Sequence, residues 1–157
     1  MKHLPVNLKA SERICNFIRR HEAFRAKAYK DQAGLWTIGY GHLILKNEKH
    51  LLTASLTVAE AEAIFQQDIA KAEAGMKRLF YAPMTQNQYD ALLSLVYNTG
   101  ATKLKGSGLV TKVNSQASAD FIGRSFLAWN KTRIDGQLQV SNGLDKRRKA
   151  EWAIFLS

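Results

Sequence analysis

With 157 residues, 46% of them hydrophobic and 23% charged, the chain has the ordinary composition of a globular protein with one cooperative core, not of a disordered tail. Its only cysteine, Cys15, excludes an intramolecular disulfide, so packing must hold the fold, as in a protein that folds in a reducing compartment. The formal charge of +10 calls for a polyanionic partner: nucleic acid, an anionic membrane surface or an acidic cell-wall polymer.

Near the N-terminus, Pro5, Asn7, Lys9 and Glu12 interrupt any apolar run, so the sequence is read as carrying no signal peptide and no membrane span. From Ser11 to Arg20, Ile14, Phe17 and Ile18 recur on one helical face, and the pattern fails at His21 and Glu22, where the first helix is expected to end. Cys15 is expected to pack there as a small apolar residue. Between Ala26 and Gly41 the composition turns to Tyr, Trp, Thr and Ile punctuated by Gly34, Gly39 and Gly41, which predicts short strands turning at Asp31-Gln32-Ala33-Gly34. No other segment reads as a sheet.

Thr57-Val-Ala-Glu60 and Thr85-Gln-Asn-Gln88 have the spacing of capping boxes, in which two side chains satisfy the first free amides of a helix. The first of these helices should turn Ile64, Phe65 and Ile69 inward, the second Leu92, Leu95 and Val96, with a break at Asn98-Thr99-Gly100. Further helices are predicted over Leu109 to Asn114, Ser118 to Trp129 and Leu144 to Leu156. The expected class is α+β and mainly helical: a small lobe over about residues 23–70 with a short antiparallel sheet, packed on a larger helical lobe that includes the first helix, in one domain spanning 1–157.

A glutamate at a helix end and an aspartate at a hairpin turn can face one another across a cleft without being neighbours in sequence. Two carboxylates in different surroundings suit acid-base work on a glycosidic bond, one donating a proton to the leaving oxygen and the other serving water or the cationic sugar. Glu22 lies among Arg19, Arg20, His21 and apolar residues, and Asp31 in a polar turn. No His or Cys cluster has metal-ligand spacing, and the chemistry needs no cofactor.

Glu22, Asp31 and Thr37, followed by Gly39-Tyr40-Gly41-His42, resemble the catalytic signature of the phage-type lysozymes, the endolysins grouped as glycoside hydrolase family 24. Tyr97-Asn98-Thr99-Gly100 is similar to that family's aromatic-Asn-x-Gly segment, Phe126 to Trp129 to its later aromatic helix, and Gly143-Leu144 through Arg147-Arg148 to Ala150-Glu151 to its terminal motif. The resemblance implies a lysozyme-like fold and a muramidase that hydrolyses the β-1,4 bond between N-acetylmuramic acid and N-acetylglucosamine of peptidoglycan, with inversion. It implies Glu22 as general acid, Asp31 and Thr37 as the pair that activates and holds water, and Leu43, Tyr97, Asn98 and Ser107 along the sugar groove. It also implies a structural pair between His42 and Asp68, and Arg147 facing the glutamate. Leu104 and Gly108 depart from the family, where an aromatic and a hydroxyl residue are common.

On this reading the partner is bacterial peptidoglycan, the charge suits contact with anionic outer-membrane or wall polymers, and the protein acts as a monomer. It would wait in the host cytoplasm and reach the wall in the periplasm at lysis. Two other functions fit the charge. A nucleic-acid module would use it on phosphates, but the cations are spread along the chain without a recognised binding motif. The last helix, with Lys146 to Lys149 ahead of Trp152, Ile154, Phe155 and Leu156, could instead disturb membranes.

Overall fold

The computed structural model describes all of residues 1–157. Helix α1, Glu12–Glu22, starts at the N-cap Ser11, whose hydroxyl accepts from the Ile14 amide, and buries Ile14, Cys15, Phe17 and Ile18. It runs through Glu22, so that glutamate sits in its last turn, and Ala23 leaves the helix with φ of 55°. Strands β1 (Arg25–Lys30), β2 (Trp36–Gly39) and β3 (His42–Leu43) then form one antiparallel sheet in chain order. Between β1 and β2 the chain reverses at Asp31 to Gly34, where the Gly34 amide donates to the Asp31 carbonyl and Gly34 takes φ of 80°.

Both capping boxes are present, at the starts of α2 (Val58–Leu79) and α3 (Gln86–Thr99). α2 passes the boundary near residue 70 without a break: it packs on β2 and β3 and on α3 and the short α4 (Ala101–Leu104), so it belongs to both lobes. Along α2, Phe65 and Ile69 are buried while Ile64 is only half-buried. α3 is buried on every side from Tyr89 to Val96, as a helix through the centre of a domain must be. Around it lie α1, α2, α5 (Gly108–Asn114), α6 (Ala119–Leu127) and α7 (Asn142–Leu156), and these helices share one apolar core.

The expectation of a single sheet is wrong. Between α6 and α7 a second hairpin pairs β4 (Lys131–Ile134) with β5 (Gln137–Val140) through Asp135-Gly136, which take φ of 50° and 78°. A two-residue Asp-Gly turn with positive φ at both positions matches the twist of the strands it joins, and that dipeptide was the overlooked signal. The apolar side of α7 is also not free for a bilayer: Ile154 and Phe155 are in the core and Arg147 and Arg148 are buried. Membrane disturbance by this helix would require undoing the core.

Burying two arginines demands counter-charge. Arg147 donates to Glu22 Oε1 (2.5 Å) and to Glu151 Oε1 (3.1 Å). Arg148 reaches Glu151 Oε1 (2.9 Å) and Asn98 Oδ1 (2.9 Å), and its Nε is ion-paired with Glu151 Oε2 at 2.6 Å. Ser94, in the middle of α3, donates to Glu151 Oε1 at 2.6 Å. Two guanidinium groups thus face two carboxylates, one of them Glu22, in a cluster tying α7 to α3 and to the end of α1. Burial opposes the charge on both arginines; Glu22 and Glu151 outweigh it at Arg147, while Arg148 is held below its ordinary pKa.

Glu151→Ala would leave two buried guanidinium groups without their shared carboxylate, and should cost about 3–5 kcal/mol of stability in urea unfolding. A loss below about 1 kcal/mol would show that the cluster does not hold α7 in place.

Candidate active site

A cleft of about 580 Å³ opens between the sheet and the helices. The sheet's contribution is a cross-strand row: Tyr29 pairs with Thr37 and Thr37 with Leu43, and all three line the cleft. Period-two alternation thus places a buried threonine between an aromatic ring and an exposed leucine. Glu22 enters from the end of α1, Asp31 from the β1–β2 turn, and Tyr97 and Asn98 from the last turn of α3.

Each polar group is held by identifiable bonds. Glu22 Oε1 takes the hydrogen bond from Arg147. Its other oxygen lies against Gly41, where a Cβ would fall 2.7 Å from the Glu22 carboxyl carbon, and Gly41 also needs its φ of 75°. Asp31 Oδ1 accepts from the amides of Ala33 and Leu35, both at 2.9 Å, which fixes the carboxylate plane and leaves Oδ2 without a partner in the chain. The Thr37 hydroxyl donates to the Leu35 carbonyl at 3.1 Å, so the proton is committed and the oxygen remains as an acceptor.

Asn98 accepts from Arg148 through Oδ1, which turns its amide nitrogen away from that bond. The Tyr97 hydroxyl donates to the Tyr40 carbonyl at 2.6 Å, joining α3 to the turn that carries Gly41. Burial pushes the Tyr97 phenol well up, so it stays a neutral donor at all physiological pH. Tyr40, Phe65 and Tyr97 pack ring against ring beneath this bond, with centroids 5.6 and 5.7 Å apart.

His42 Nδ1 lies 2.8 Å from Asp68 and Nε2 2.9 Å from Glu48, so each ring nitrogen faces a carboxylate and both must carry hydrogen. The bond to Asp68 raises the His42 pKa, against burial, with Glu48 adding to the rise. Glu48 was not foreseen from sequence. Nor were Ser94, Arg148 and Tyr29, although the spacing of Arg147 and Glu151 at helix positions i and i+4 was open to view.

The structure brings Glu22, Asp31, Thr37, His42, Leu43, Asp68, Tyr97 and Asn98 to one cleft. Arg147 stands behind Glu22 and is itself buried. Ser107 is elsewhere: it caps α5 by accepting from the Val110 amide, and it lines a separate depression with Trp129 and Leu138. Ser107 therefore does not line this cleft, and its hydroxyl is oriented by the helix it starts.

Gly41→Ala should cost about 1–3 kcal/mol of stability, because the new methyl must displace the Glu22 carboxylate and strain the turn; urea unfolding measures it, and parental stability would contradict the close packing. A second expectation concerns pH. Since the folded His42 pKa lies above its ordinary 6.5, its stabilisation is complete below that value and is lost as pH rises through the folded value. The melting temperature should therefore fall from about pH 6.5 upward, and His42→Gln should remove that part of the slope.

The chain matches the phage lysozyme family model over residues 19–151. It is 41% identical over 149 residues to the endolysin of Acyrthosiphon pisum secondary endosymbiont phage 1, covering 94% of this chain and 97% of the relative. Among solved structures, the endolysin from Escherichia coli O157:H7 phage FAHEc1 superposes with a TM-score of 0.84 at 32% identity, covering 96% of this chain and 95% of that one. The muramidase domain of SpmX from Asticaccaulis excentricus gives 0.81 at 29% identity, covering 96% and 99%. With its α+β lysozyme fold and the match running from α1 to α7, the chain belongs to the phage lysozyme family.

Proposed function

We propose that this phage lysozyme cleaves the β-1,4 bond between N-acetylmuramic acid and N-acetylglucosamine with inversion, Glu22 acting as general acid and Asp31 with Thr37 activating the water. As a member of its family the chain is a glycosidase of bacterial peptidoglycan and an agent of host lysis. The observation that carries the finer reading is how hydrogen bonds are divided at the three side chains. Glu22 has one oxygen tied to Arg147, and Oε2 is the one free to hold a proton. Asp31 Oδ2 and Thr37 Oγ1 are both available acceptors.

A water between these two acceptors gives one hydrogen to each and keeps its lone pairs for the anomeric carbon. The Glu22 proton passes to the departing glycosidic oxygen as that bond breaks, and a water proton passes to Asp31 as the new C–O bond forms on the opposite face. Inverting enzymes keep their carboxyl groups roughly 6.5–9.5 Å apart to admit this water. The Asp31 anchoring supports the role, since a base that must orient water needs a fixed carboxylate plane.

No helix is long and apolar enough to cross a membrane. In this reading the enzyme works as a monomer, accumulates in the host cytoplasm, and meets the wall once a separate protein has opened the inner membrane. The charge of +10 then favours contact with anionic wall or outer-membrane polymers.

Glu22→Gln should lose about 10²–10⁴ in kcat on purified peptidoglycan because the amide has no acid proton to give; its oxygen still accepts from Arg147, so the protein should fold but with lowered stability for want of the counter-charge. Asp31→Asn should lose kcat on a similar scale with little change in KM. Mass spectrometry of the released muropeptides should find hydrated reducing ends. Anhydro sugars would instead mean a lytic transglycosylase, and full activity in either variant would remove that residue from its role.

A further inference from the structure

The proposed chemistry uses the carboxyl of Glu22 and leaves unexplained the backbone that follows it. Helix α1 ends at Glu22 and β1 begins at Arg25, so Ala23 and Phe24 alone turn the chain from one to the other. Ala23 does so with φ of 55° and ψ of 153°. That ψ lies far from the left-handed helical well, centred near about 47°, and stands at the border of a region that glycine alone enters freely. The next positive-φ turns of the small lobe are given to glycine, at Gly34, Gly39 and Gly41. An alanine is strained in such a conformation, and because Ala23 is exposed its methyl adds no packing that would offset the strain.

The strain persists because both neighbours of Ala23 are fixed from outside. On the helix side, the Ala23 amide donates to the Arg19 carbonyl at 2.9 Å. The Arg19 guanidinium is in turn bound to Glu62 of α2 through Nε (3.1 Å) and Nη2 (2.6 Å), and lies 4.7 Å from the centroid of the Phe65 ring. Glu22 itself is held by Arg147 of α7. On the strand side, Arg25 pairs with Gly39, and the Phe24 ring packs on Tyr40 with centroids 5.8 Å apart. Thus α2, α7 and the sheet together impose the conformation of residue 23, which is the condition under which a strained residue survives in a folded chain. A glycine would take the same angles without strain, but it would also leave them easily, since nearly all the surrounding φ/ψ space is open to it. The alanine methyl closes most of that space.

We infer that Ala23 is a positioning residue for the general acid: its methyl stiffens the joint behind Glu22, so that the carboxyl stays between Arg147 and Gly41, at a cost in stability. The inference rests on the assignment of Glu22 as general acid. It requires that relief of strain and loss of turnover go together. A residue that merely supports the fold behaves otherwise, because a substitution that stabilises the fold would then leave the rate alone.

The test compares Ala23→Gly with Gln116→Gly. Gln116 is another non-glycine residue with positive φ (53°), and it lies outside the cleft in the connection between α5 and α6. Both variants should be at least as stable as the parent, with the melting temperature of Ala23→Gly raised by about 2–4 °C. Only Ala23→Gly should lower kcat on purified peptidoglycan, by about tenfold, with KM unchanged because the side chains of the groove are untouched. Only Ala23→Gly should also lower the NMR order parameters of the Glu22 and Phe24 amides. Ala23→Ser keeps a Cβ and should retain the parental kcat and order parameters. Parental turnover in Ala23→Gly, an equal loss in Gln116→Gly, or unchanged order parameters at Glu22 and Phe24 would overturn the positioning role. A melting temperature no higher than the parent's would show that residue 23 is not strained, and would overturn it as well. Parental turnover in Glu22→Gln would instead strike the general-acid assignment, and the order parameters would still decide whether the Ala23 methyl restrains the joint.

Discussion

The fold depends on a charge balance in its interior. Arg147 and Arg148 are adjacent on α7, both are buried, and Glu151 serves them both. One carboxylate cannot offset two guanidinium groups in a low-dielectric setting, and the second comes from Glu22 at the end of α1. The side chain proposed to donate the proton is therefore also a structural counter-ion. Its position needs no loop to hold it: α1 brings the backbone, Arg147 fixes one oxygen, and Gly41 leaves room for the other. The same economy exposes the protein to conflict, since any change that neutralises Glu22 for good leaves excess positive charge behind it.

Around this cluster, a few bonds define the cleft by joining the sheet to the helices. The Tyr97 hydroxyl holds the Tyr40 carbonyl, His42 holds α2 through Asp68, and Ser141 at the start of α7 donates to Gln32 beside Asp31 at 2.9 Å. α2 runs through both lobes as a rigid element, so these bonds set the width of the cleft at different points along it. The last of them is the most exposed to solvent competition, because Gln32 lies on the surface while His42 is buried.

Local signals in the sequence were read well where local chemistry decides the structure. The two capping boxes, the fading of α1 at Glu22, and the break at Gly100 with its φ of 86° all depend on residues close in sequence. The β4–β5 hairpin is equally local: Gln137-Leu138-Gln139-Val140 alternates polar with apolar residues and Asp135-Gly136 marks the turn, but both strands are only four residues long and largely exposed, so no buried face distinguishes them from a loop. What could not be read directly was long-range. Nothing near Ser94 says that it faces Glu151, and nothing near Glu48 says that it completes the second side of His42. Arg148 stands in the sequence as one member of the basic run Lys146 to Lys149, yet the packing of α7 on α3 makes it fully buried. Ser107, placed along the groove by the family resemblance, caps α5 through its hydroxyl, a local role that a motif comparison does not reveal.

The central claim is that a water held by Asp31 and Thr37, and not a protein carboxylate, attacks the anomeric carbon. Proton NMR of the first sugar ends released from peptidoglycan, recorded before mutarotation, tests it most directly. The account predicts that the new N-acetylmuramic acid reducing ends appear first as the α-anomer and only later equilibrate with β. Initial release as the β-anomer would mean two displacements at that carbon, and would contradict the water-activating role given to Asp31 and Thr37.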